Sequence, residues 1–424
     1  MPFKYNNNLV LEINCDNNPV SSLYYNDTKV WEPLEPFYIE NRSDSSSITG
    51  GFYSYGSAPT VTLEYSSDKS TWTSYTIGTD LTIPAEGKVY FRAPSGVTNL
   101  TYSINWTGYV YCNCSGYYNA GGDITTLLTK EGKVFDLTGY GTWTFGYLFN
   151  SINGTTNKIK DLSKLVLTPN TLTTSCYGGF CQGTASLEVA PEECPAEYLA
   201  SNCYENMFSS THIVSAPVLP STHLAGSCYK SMFSSCSYMT TPPELPATVL
   251  SYGCYYNMFR GCTALTYGPD LPALDVPGTA YWAMFQSCHF TTPPQISAVS
   301  AADFSFTDMF RSSYITSAPI LHVSTLSSQK CFSDCFTDCT QMAGKITLYP
   351  TTLVPNCYEN MFKNCSALEE IEIRASSWGS NSMKNWVNGV AGTGVFRCPS
   401  ALGDGSTITR GVDACPEGWT VVNF

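Results

Sequence analysis

Apolar residues recur at a nearly constant interval through the second half of the chain. Met-Phe pairs stand 25 or 26 residues apart, and one copy is replaced by Cys335-Phe336. The first residues of these pairs are Met207, Met232, Met258, Met284, Met309, Cys335 and Met361. A unit of this length buries its apolar face only against neighbouring copies, so the copies must stack. The pattern predicts a repeat solenoid over residues 121–375.

Each unit is predicted to contain one short strand and one short helical turn. Alternating apolar residues indicate the strands best in the divergent copies, at 162–167, 345–348 and 368–373. Middle copies carry prolines in the same stretch, such as Pro242 and Pro243, and because proline lacks an N–H these strands should be short or irregular. The segment Cys-Tyr-x-x-Met-Phe-x-x-Cys predicts a helical or 3₁₀ turn. A unit of about 25 residues with one strand lies within the range of leucine-rich repeats.

The front of the chain differs from the repeat. Residues 1–36 are interpreted as an N-terminal attachment segment. Within this segment, 23–31 predicts a hairpin, because Asn26 and Asp27 tolerate the left-handed backbone of a tight turn. Several short alternating strands over residues 37–120 predict a small β-sandwich.

The tail over residues 376–424 leaves the regular period. It predicts a short helix end at 386–390 and a strand at 420–422. Solenoids need atypical end units to cover the last apolar face, so we interpret the tail as a C-terminal cap. The predicted fold class is mainly β: an N-terminal β-sandwich-like domain, then a leucine-rich-repeat solenoid with short strands and short helical or 3₁₀ turns.

Composition and charge exclude several classes of function. The 424 residues carry a net charge of −13 and only 21 Lys and Arg, without a basic cluster. Nucleic-acid binding needs such a cluster, so it is not expected. No apolar run is long enough to span a membrane, and membrane insertion is not expected. The first residues lack the basic and apolar regions of a secretory signal, so we expect a protein that is not exported by that route.

Nineteen cysteines follow the repeat more than they follow a disulfide pattern. Most stand four residues before or four residues after the Met position. Small residues replace them at Thr211, Ala280, Ser305 and Ser313. A position that accepts Cys, Ala, Ser or Thr favours small buried side chains, as free thiols are. We therefore expect stacked, reduced cysteines rather than a disulfide framework.

A metal site is conceivable at Cys331, Cys335 and Cys339, whose spacing would place three thiols on one helical face. All three fall on repeat positions, so packing is the favoured interpretation. A tetrahedral site would also need a fourth ligand. No metal and no cofactor are expected.

The evidence for catalytic pairs in this sequence is also weak. Cys288-His289 would point to opposite faces of an extended segment, and Cys288 is a repeat cysteine. The acidic pairs Glu192-Glu193 and Glu369-Glu370 are interpreted as solvated charges rather than as a glycosidase pair. We expect no catalytic residues and no enzymatic activity.

An aromatic column accompanies the Met-Phe pairs, three residues before the Met position. Its members are Tyr177, Tyr204, Tyr229, Tyr255, Tyr281, Phe306, Phe332 and Tyr358. Core packing with the hydroxyls at the rim is the favoured interpretation, and a stripe that binds sugar or protein is the alternative. Tyr256 and Trp282 add aromatic area beside this column, which makes them weak candidates for binding residues.

The repeat units CYENMFSS, CYKSMFSSC, CYYNMFRGCTALT and CYENMFKNCSALEEIEI resemble the BspA-like leucine-rich repeats. Such repeats occur in surface proteins of anaerobic gut bacteria and in structural proteins of their phages. The linkers PELPATVL and PDLPAL, the segment KVYFRA and the ending CPEGWTVV also resemble that family. The resemblance covers roughly residues 120–375. It implies a leucine-rich-repeat solenoid used for adhesion or recognition, without catalytic residues.

From the resemblance we expect a bacteriophage virion structural protein, a capsid or tail fibre or decoration protein. Its solenoid would mediate adhesion or recognition at the host surface, with host glycan or protein as the partner. The N-terminal region would bind other virion proteins, and such appendages are often homotrimers. The expected location is the virion surface. The alternative is a BspA-like adhesin on the bacterial cell surface that binds host protein or glycan.

Overall fold

A computed structural model describes residues 34–43, 46–58, 60–97, 100, 108–151, 156–379 and 381–424, together with the backbone of short strands within 4–31. The protein is mainly β with almost no helix, and a β-solenoid of about six turns forms its C-terminal part. In the described ranges, no helix has the length and apolar character needed to cross a bilayer.

In the part of the chain that the structure describes, fourteen strands precede the solenoid. They are β1 Lys4–Tyr5, β2 Asn8–Leu9, β3 Asn14–Cys15, β4 Asn18–Pro19, β5 Leu23–Tyr25, β6 Thr28–Trp31, β7 Tyr38–Asn41, β8 Ile48–Gly56, β9 Leu63–Ser66, β10 Thr73–Tyr75, β11 Leu81–Ile83, β12 Lys88–Arg92, β13 Gly108–Cys114 and β14 Tyr118–Asp123. The predicted hairpin at 23–31 is confirmed, because β5 and β6 pair antiparallel; its turn residues Asn26 and Asp27 lie outside the described residues.

The remaining strands belong to the solenoid. They are β15 Ile159–Val166, β16 Asp275–Val276, β17 Ser300–Ala301, β18 Thr325–Leu326, β19 Gly344–Leu348, β20 Leu368–Ile373, β21 Val395–Cys398 and β22 Thr420–Asn423. The described residues contain two short 3₁₀ helices, Ile124–Leu127 and Ser400–Leu402. Neither 3₁₀ helix lies in the predicted helical turn of a repeat.

Two larger sheets, antiparallel except for the final β14–β15 pair, lie between the N-terminal strands and the solenoid. One sheet has the order β10-β9-β12-β7-β14-β15 and the other the order β11-β8-β13. Phe52 of β8 contacts Phe91 of β12, with ring centroids 5.0 Å apart, and Phe37 beside β7, at 6.0 Å. These three rings are fully buried, so apolar side chains of both sheets share one core.

Strand β14 joins the front of the chain to the solenoid. It pairs antiparallel with β7 on one side and parallel with β15 on the other. Because β15 carries the predicted repeat strand at 162–167, one continuous sheet runs from the N-terminal region into the first coils. The predicted boundary at residue 121 falls inside β14.

Neighbouring solenoid coils pair in parallel, through short strands in some coils and through isolated bridges in others. The predicted strands at 345–348 and 368–373 are confirmed by β19 and β20, which pair in parallel. In the proline-rich middle coils, the same stretch makes only isolated parallel bridges, such as Ser215 with Thr241. This agrees with the expected loss of ladder donors at proline.

The helical turn predicted for each repeat is wrong. The stretch from the first to the second repeat cysteine position, which we call the turn segment, is a chain of consecutive β-turns. In the copy around Met207, every fourth residue is left-handed: Asn202, Asn206 and Ser210 have φ values of 57°, 55° and 58°. A positive φ at that interval is incompatible with an α- or 3₁₀ helix. Asn and Gly tolerate it best, as at the third position of type II turns.

Backbone hydrogen bonds alternate along the turn segment. The Glu205 N–H donates to the Asn202 carbonyl of its own coil at 3.0 Å, and the next N–H, that of Asn206, donates to the Lys230 carbonyl of the next coil at 3.0 Å. The same alternation recurs in the following copies. The segment therefore satisfies half of its N–H groups locally and uses the other half to hold the coils together.

The same architecture continues into the tail. The Phe362 N–H donates to the Trp386 carbonyl at 2.8 Å, so Trp386 takes the Met position of a further coil. Asn385 and Gly389 are left-handed, and the helix end predicted at 386–390 is therefore wrong. The strand predicted at 420–422 is confirmed, because β22 extends the parallel pairing of β20 and β21.

The aromatic column lies in the core, as the favoured interpretation expected. Tyr204, Tyr229 and Tyr255 are at most 2% exposed, and their rings stack 5.7 and 5.9 Å apart with interplanar angles of 3°. The expectation that the hydroxyls reach the rim is wrong. The buried hydroxyls of Tyr204 and Tyr229 have no hydrogen-bond partner within the described ranges, and the same holds for Tyr177 and Tyr358. The column is thus not a surface for ligands.

The repeat cysteines form a ladder of thiol donors. The thiols of Cys262 and Cys288 donate to the Phe233 and Phe259 carbonyls of the preceding coil, both at 3.1 Å. Ser313 replaces a cysteine and donates its hydroxyl in the same way. The position four residues after the Met position therefore holds small side chains that donate, whereas the position four residues before it also accepts Ala280. Burial raises the pKa of these thiols, for example to about 12 at Cys288.

We predict that Tyr229→Phe leaves stability unchanged or raises it, by up to about 1 kcal/mol, since it removes an unpaired buried hydroxyl but keeps the stacked ring. Tyr118→Phe is the matched comparison. The Tyr118 hydroxyl is bonded to the Asn157 side chain at 2.8 Å and to the Cys112 carbonyl at 3.1 Å, so its loss should cost about 1–2 kcal/mol. Urea midpoints of the two variants test this. An equal loss at both positions would mean that the Tyr229 hydroxyl has a partner.

We predict that the thiols of the folded protein react slowly with Ellman's reagent at pH 8. The 18 described cysteines are all buried and form no disulfide among themselves. Burial also raises the pKa of Cys236 and Cys331 to about 11, which leaves little reactive thiolate. Unfolding in guanidinium chloride without reductant should make them react rapidly. Disulfides blocking more than half of the cysteines would contradict the expectation of reduced thiols.

Candidate binding surface

The structure brings the two sequence candidates together. Tyr256 and Trp282 stand two residues before the Met position in neighbouring coils, on the outer side of the turn segment. Their ring centroids lie 5.3 Å apart in an edge-to-face arrangement. Both side chains are half-buried. Equal positions of consecutive coils lie side by side in a solenoid, which explains why residues 26 apart in sequence meet here.

Phe304 extends this pair. Its ring stacks on Trp282 with centroids 5.4 Å apart and an interplanar angle of 11°. Phe304 has a φ of 54°, at a position where other coils place Asn202 or Gly253. A large side chain in left-handed backbone costs roughly 1–2 kcal/mol, so the side chain itself must provide the compensating contact. Sequence analysis missed Phe304 because it stands outside the aromatic column.

Two lysines lie at the ends of the aromatic run. The Lys230 ammonium is 5.7 Å from the centre of the Tyr256 ring, and the Lys330 ammonium is 5.9 Å from that of Phe304. At these distances each cation is attracted to the negative face of the ring. We name the set Lys230, Tyr256, Trp282, Phe304 and Lys330 the aromatic run.

Acidic side chains neutralise the cations of the aromatic run. Lys230 pairs with Glu205 at 2.9 Å, and Lys330 lies 3.7 Å from Glu359. Trp282 donates its indole N–H to Asp308 at 3.2 Å. The pairs are partly exposed, so each contributes little to stability, but together they fix the orientation of the rings.

The Asp308 carboxyl is perturbed by its surroundings. Burial raises its pKa above the usual range, and the nearby Asp334 carboxylate adds to this effect. Hydrogen bonds from Arg311, at 3.0 Å, and from Trp282 act in the opposite direction and lower the pKa. The rise caused by burial is larger than the opposing effect.

The aromatic run can present ring edges but few open ring faces. Phe304 stacks on Trp282, Tyr256 and Trp282 meet edge to face, and the lysines lie over the rings of Tyr256 and Phe304. Such a surface suits contact with another surface better than intercalation of a small ring.

The other candidates do not assemble into chemistry. The thiols of Cys331 and Cys339 donate to separate backbone carbonyls, of Ser328 and Phe310. Because the turn segment is not a helix, these thiols and Cys335 do not share a helical face. Within the described ranges, no group of three or more His, Cys, Asp or Glu side chains is arranged to hold a metal.

The suggested catalytic pairs are also separated. Cys288 is buried and donates to a backbone carbonyl, whereas His289 is exposed and contacts the ring of Tyr314. Glu370 is held by Arg397 at 2.7 Å and by Lys345 at 3.3 Å, and Glu369 is exposed.

Sequence analysis missed a second group of surface rings. All four histidines contact a tyrosine of a neighbouring coil. The pairs are His212 with Tyr238, His223 with Tyr198, His289 with Tyr314 and His322 with Tyr349. Tyr238 and Tyr314 are 56% and 57% exposed, so their rings are available to a ligand.

Comparison of the chain with protein-family models, with curated proteins and with solved structures finds no match in any of the three searches.

We predict that Asp308→Asn becomes increasingly favourable to stability as pH rises from about 3 to 6. A carboxyl whose pKa is raised in the folded state binds its proton more tightly there, so the native protein loses stability as pH rises through that window. The amide variant lacks this titration. Melting temperatures of both proteins across the pH range provide the measurement.

Asp136→Asn serves as the control of opposite sign. Hydrogen bonds from Thr138 lower the pKa of Asp136, so the native residue should gain its advantage as pH rises. If both variants follow the same trend with pH, burial does not govern the Asp308 carboxyl.

Proposed function

We propose that the protein is a bacteriophage virion structural protein, a capsid or tail fibre or decoration protein. Its solenoid mediates adhesion or recognition at the host surface. The observation that carries the proposal is the pairing of surface rings at equal positions of neighbouring coils, as at His212–Tyr238 and His289–Tyr314, where the tyrosines are more than half exposed. Paired exposed rings on a protein surface indicate an interaction surface.

The proposal includes the finer fold. The coils are proposed to be BspA-like leucine-rich repeats, supported by the 25- or 26-residue period, one strand or bridge per coil, and buried Leu or Ile at the strand position, such as Leu245 and Ile296. The N-terminal region is proposed to be a β-sandwich, supported by the Phe52 contacts between two sheets.

Two parts of the chain have different proposed tasks. Residues 1–36 and the proposed sandwich at 37–120 attach the protein to other virion proteins. The solenoid, at 121–375, and the tail, at 376–424, project towards host glycan or protein. A homotrimer is the proposed assembly. Neither a cofactor nor catalysis is part of the proposal.

A BspA-like adhesin of the bacterial surface is the second candidate. The same solenoid would bind host protein or glycan from the cell envelope. The repeat units that resemble BspA-like proteins favour it as much as they favour a phage protein.

Immunogold labelling should separate the two. An antibody against the solenoid should label purified virions from a culture that produces the protein, at regular sites on capsid or tail. Labelling confined to the envelope of uninfected cells would contradict the virion proposal and support the adhesin. A labelled unrelated protein of the same net charge controls for non-specific adsorption.

A further inference from the structure

One column of surface side chains contains a gap between two aromatic pairs. In four successive coils, one buried apolar residue follows the second repeat cysteine position: Met239, Leu265, Phe290 and Ile315. The residues directly before these four are Tyr238, Ala264, His289 and Tyr314, and they form the column. Tyr238 contacts His212 with ring centroids 4.3 Å apart, and His289 contacts Tyr314 at the same distance. Only Ala264 stands between the two pairs.

The gap has the width of one ring. Paired coils are spaced about 4.8 Å apart, so Tyr238 and His289 are about 10 Å apart along the solenoid. Stacking of a ring between two flat faces needs about 4.5 Å on each side, which adds to a similar length. The methyl group of Ala264 forms the floor. We name this gap the Ala264 notch.

A free hydroxyl lies beside the notch. Thr240, Thr291 and Thr316 each donate their hydroxyl to a carbonyl of the preceding coil. The hydroxyl of Thr266, at the equivalent position of the Ala264 coil, makes no such bond within the described ranges. Ala264 and Thr266 flank the buried Leu265, so both lie on its outer side. The notch therefore offers a hydrogen-bonding group beside its apolar walls.

The surroundings favour an uncharged ligand. Apart from His289, the wall, floor and rim residues of the notch are Tyr, Ala and Thr. A pyranose ring presents C–H groups on its faces and hydroxyls around its edge, which matches two aromatic walls and a hydroxyl rim. Nucleobases also stack on aromatic rings, but their phosphates would meet a protein of net charge −13.

We propose that the Ala264 notch binds one sugar ring of a neutral oligosaccharide between Tyr238 and His289. The proposal rests on the proposed function, since it assigns a glycan-binding site to the recognition solenoid. It differs from the aromatic run, where the ring faces are covered by neighbouring side chains.

Saturation-transfer NMR and calorimetry with cellohexaose, maltohexaose and chitohexaose test the notch on the full chain. At least one of these probes should bind saturably to the native protein. Ala264→Tyr fills the gap and should weaken binding about tenfold or more, whereas Ala264→Ser keeps it open and should bind as the native protein does. Tyr238→Ala should weaken binding about three- to tenfold, the value of one aromatic contact.

Phe135→Ala removes an exposed ring in another part of the chain and should leave the affinity unchanged. Absence of binding by all three probes, or equal binding by Ala264→Tyr and native protein, would overturn the proposal. Circular dichroism confirms that each variant is folded. Adhesion of the labelled full chain to host cells is measured in parallel. If the Ala264→Tyr variant adheres as the native protein does, the notch proposal is wrong but the proposed function stands. If the native protein does not adhere at all, the proposed function is wrong.

Discussion

The alternating hydrogen bonds of the turn segment determine the rest of the solenoid. Every second N–H donates to the next coil, as Asn206 does to Lys230, and this requires a left-handed residue at every fourth position. Main-chain bonds therefore fix the distance between coils. Side chains at equal positions of successive coils are therefore aligned with one another. Inside the solenoid they form stacks of rings and thiols, and on the surface they form continuous columns.

The same constraint explains why the core tolerates unpaired hydroxyls. An isolated buried hydroxyl costs about 1–3 kcal/mol. Burial of an aromatic side chain contributes about 1.5–3 kcal/mol, and each stacked contact adds about 0.5–1.5 kcal/mol. Tyr204 and Tyr229 have stacked neighbours on both sides, so the gain from the ring exceeds the loss at the hydroxyl.

Sequence periodicity was sufficient for the solenoid and its strands but misleading for the turn segment. Cys203, Met207 and Thr211 are spaced at i, i+4 and i+8, which imitates one face of a helix. The competing signal was present, because Asn202 and Asn206 with Ser210 form a row of turn-forming residues at the same interval. Residue spacing alone does not distinguish a helix from a chain of β-turns, since the difference lies in the sign of φ at every fourth residue.

The candidate surface was predictable only in part. Tyr256 and Trp282 stand next to a regular column, so alignment of the copies finds them. Phe304 occupies a backbone position normally held by Asn, Ser or Gly, where the sequence gives no reason to expect a ring. Tyr238 and His289 follow the repeat cysteine by two residues and one residue, and this change in spacing hides their shared position.

Strand β14 has a mechanical consequence. It is held by backbone hydrogen bonds to β7 on one edge and to β15 on the other. A pulling force along the chain direction at this junction would load several bonds in shear at once, rather than opening them one by one. The N-terminal sheets and the solenoid are therefore joined rigidly by continuous strand pairing, which resists extension better than a flexible linker would.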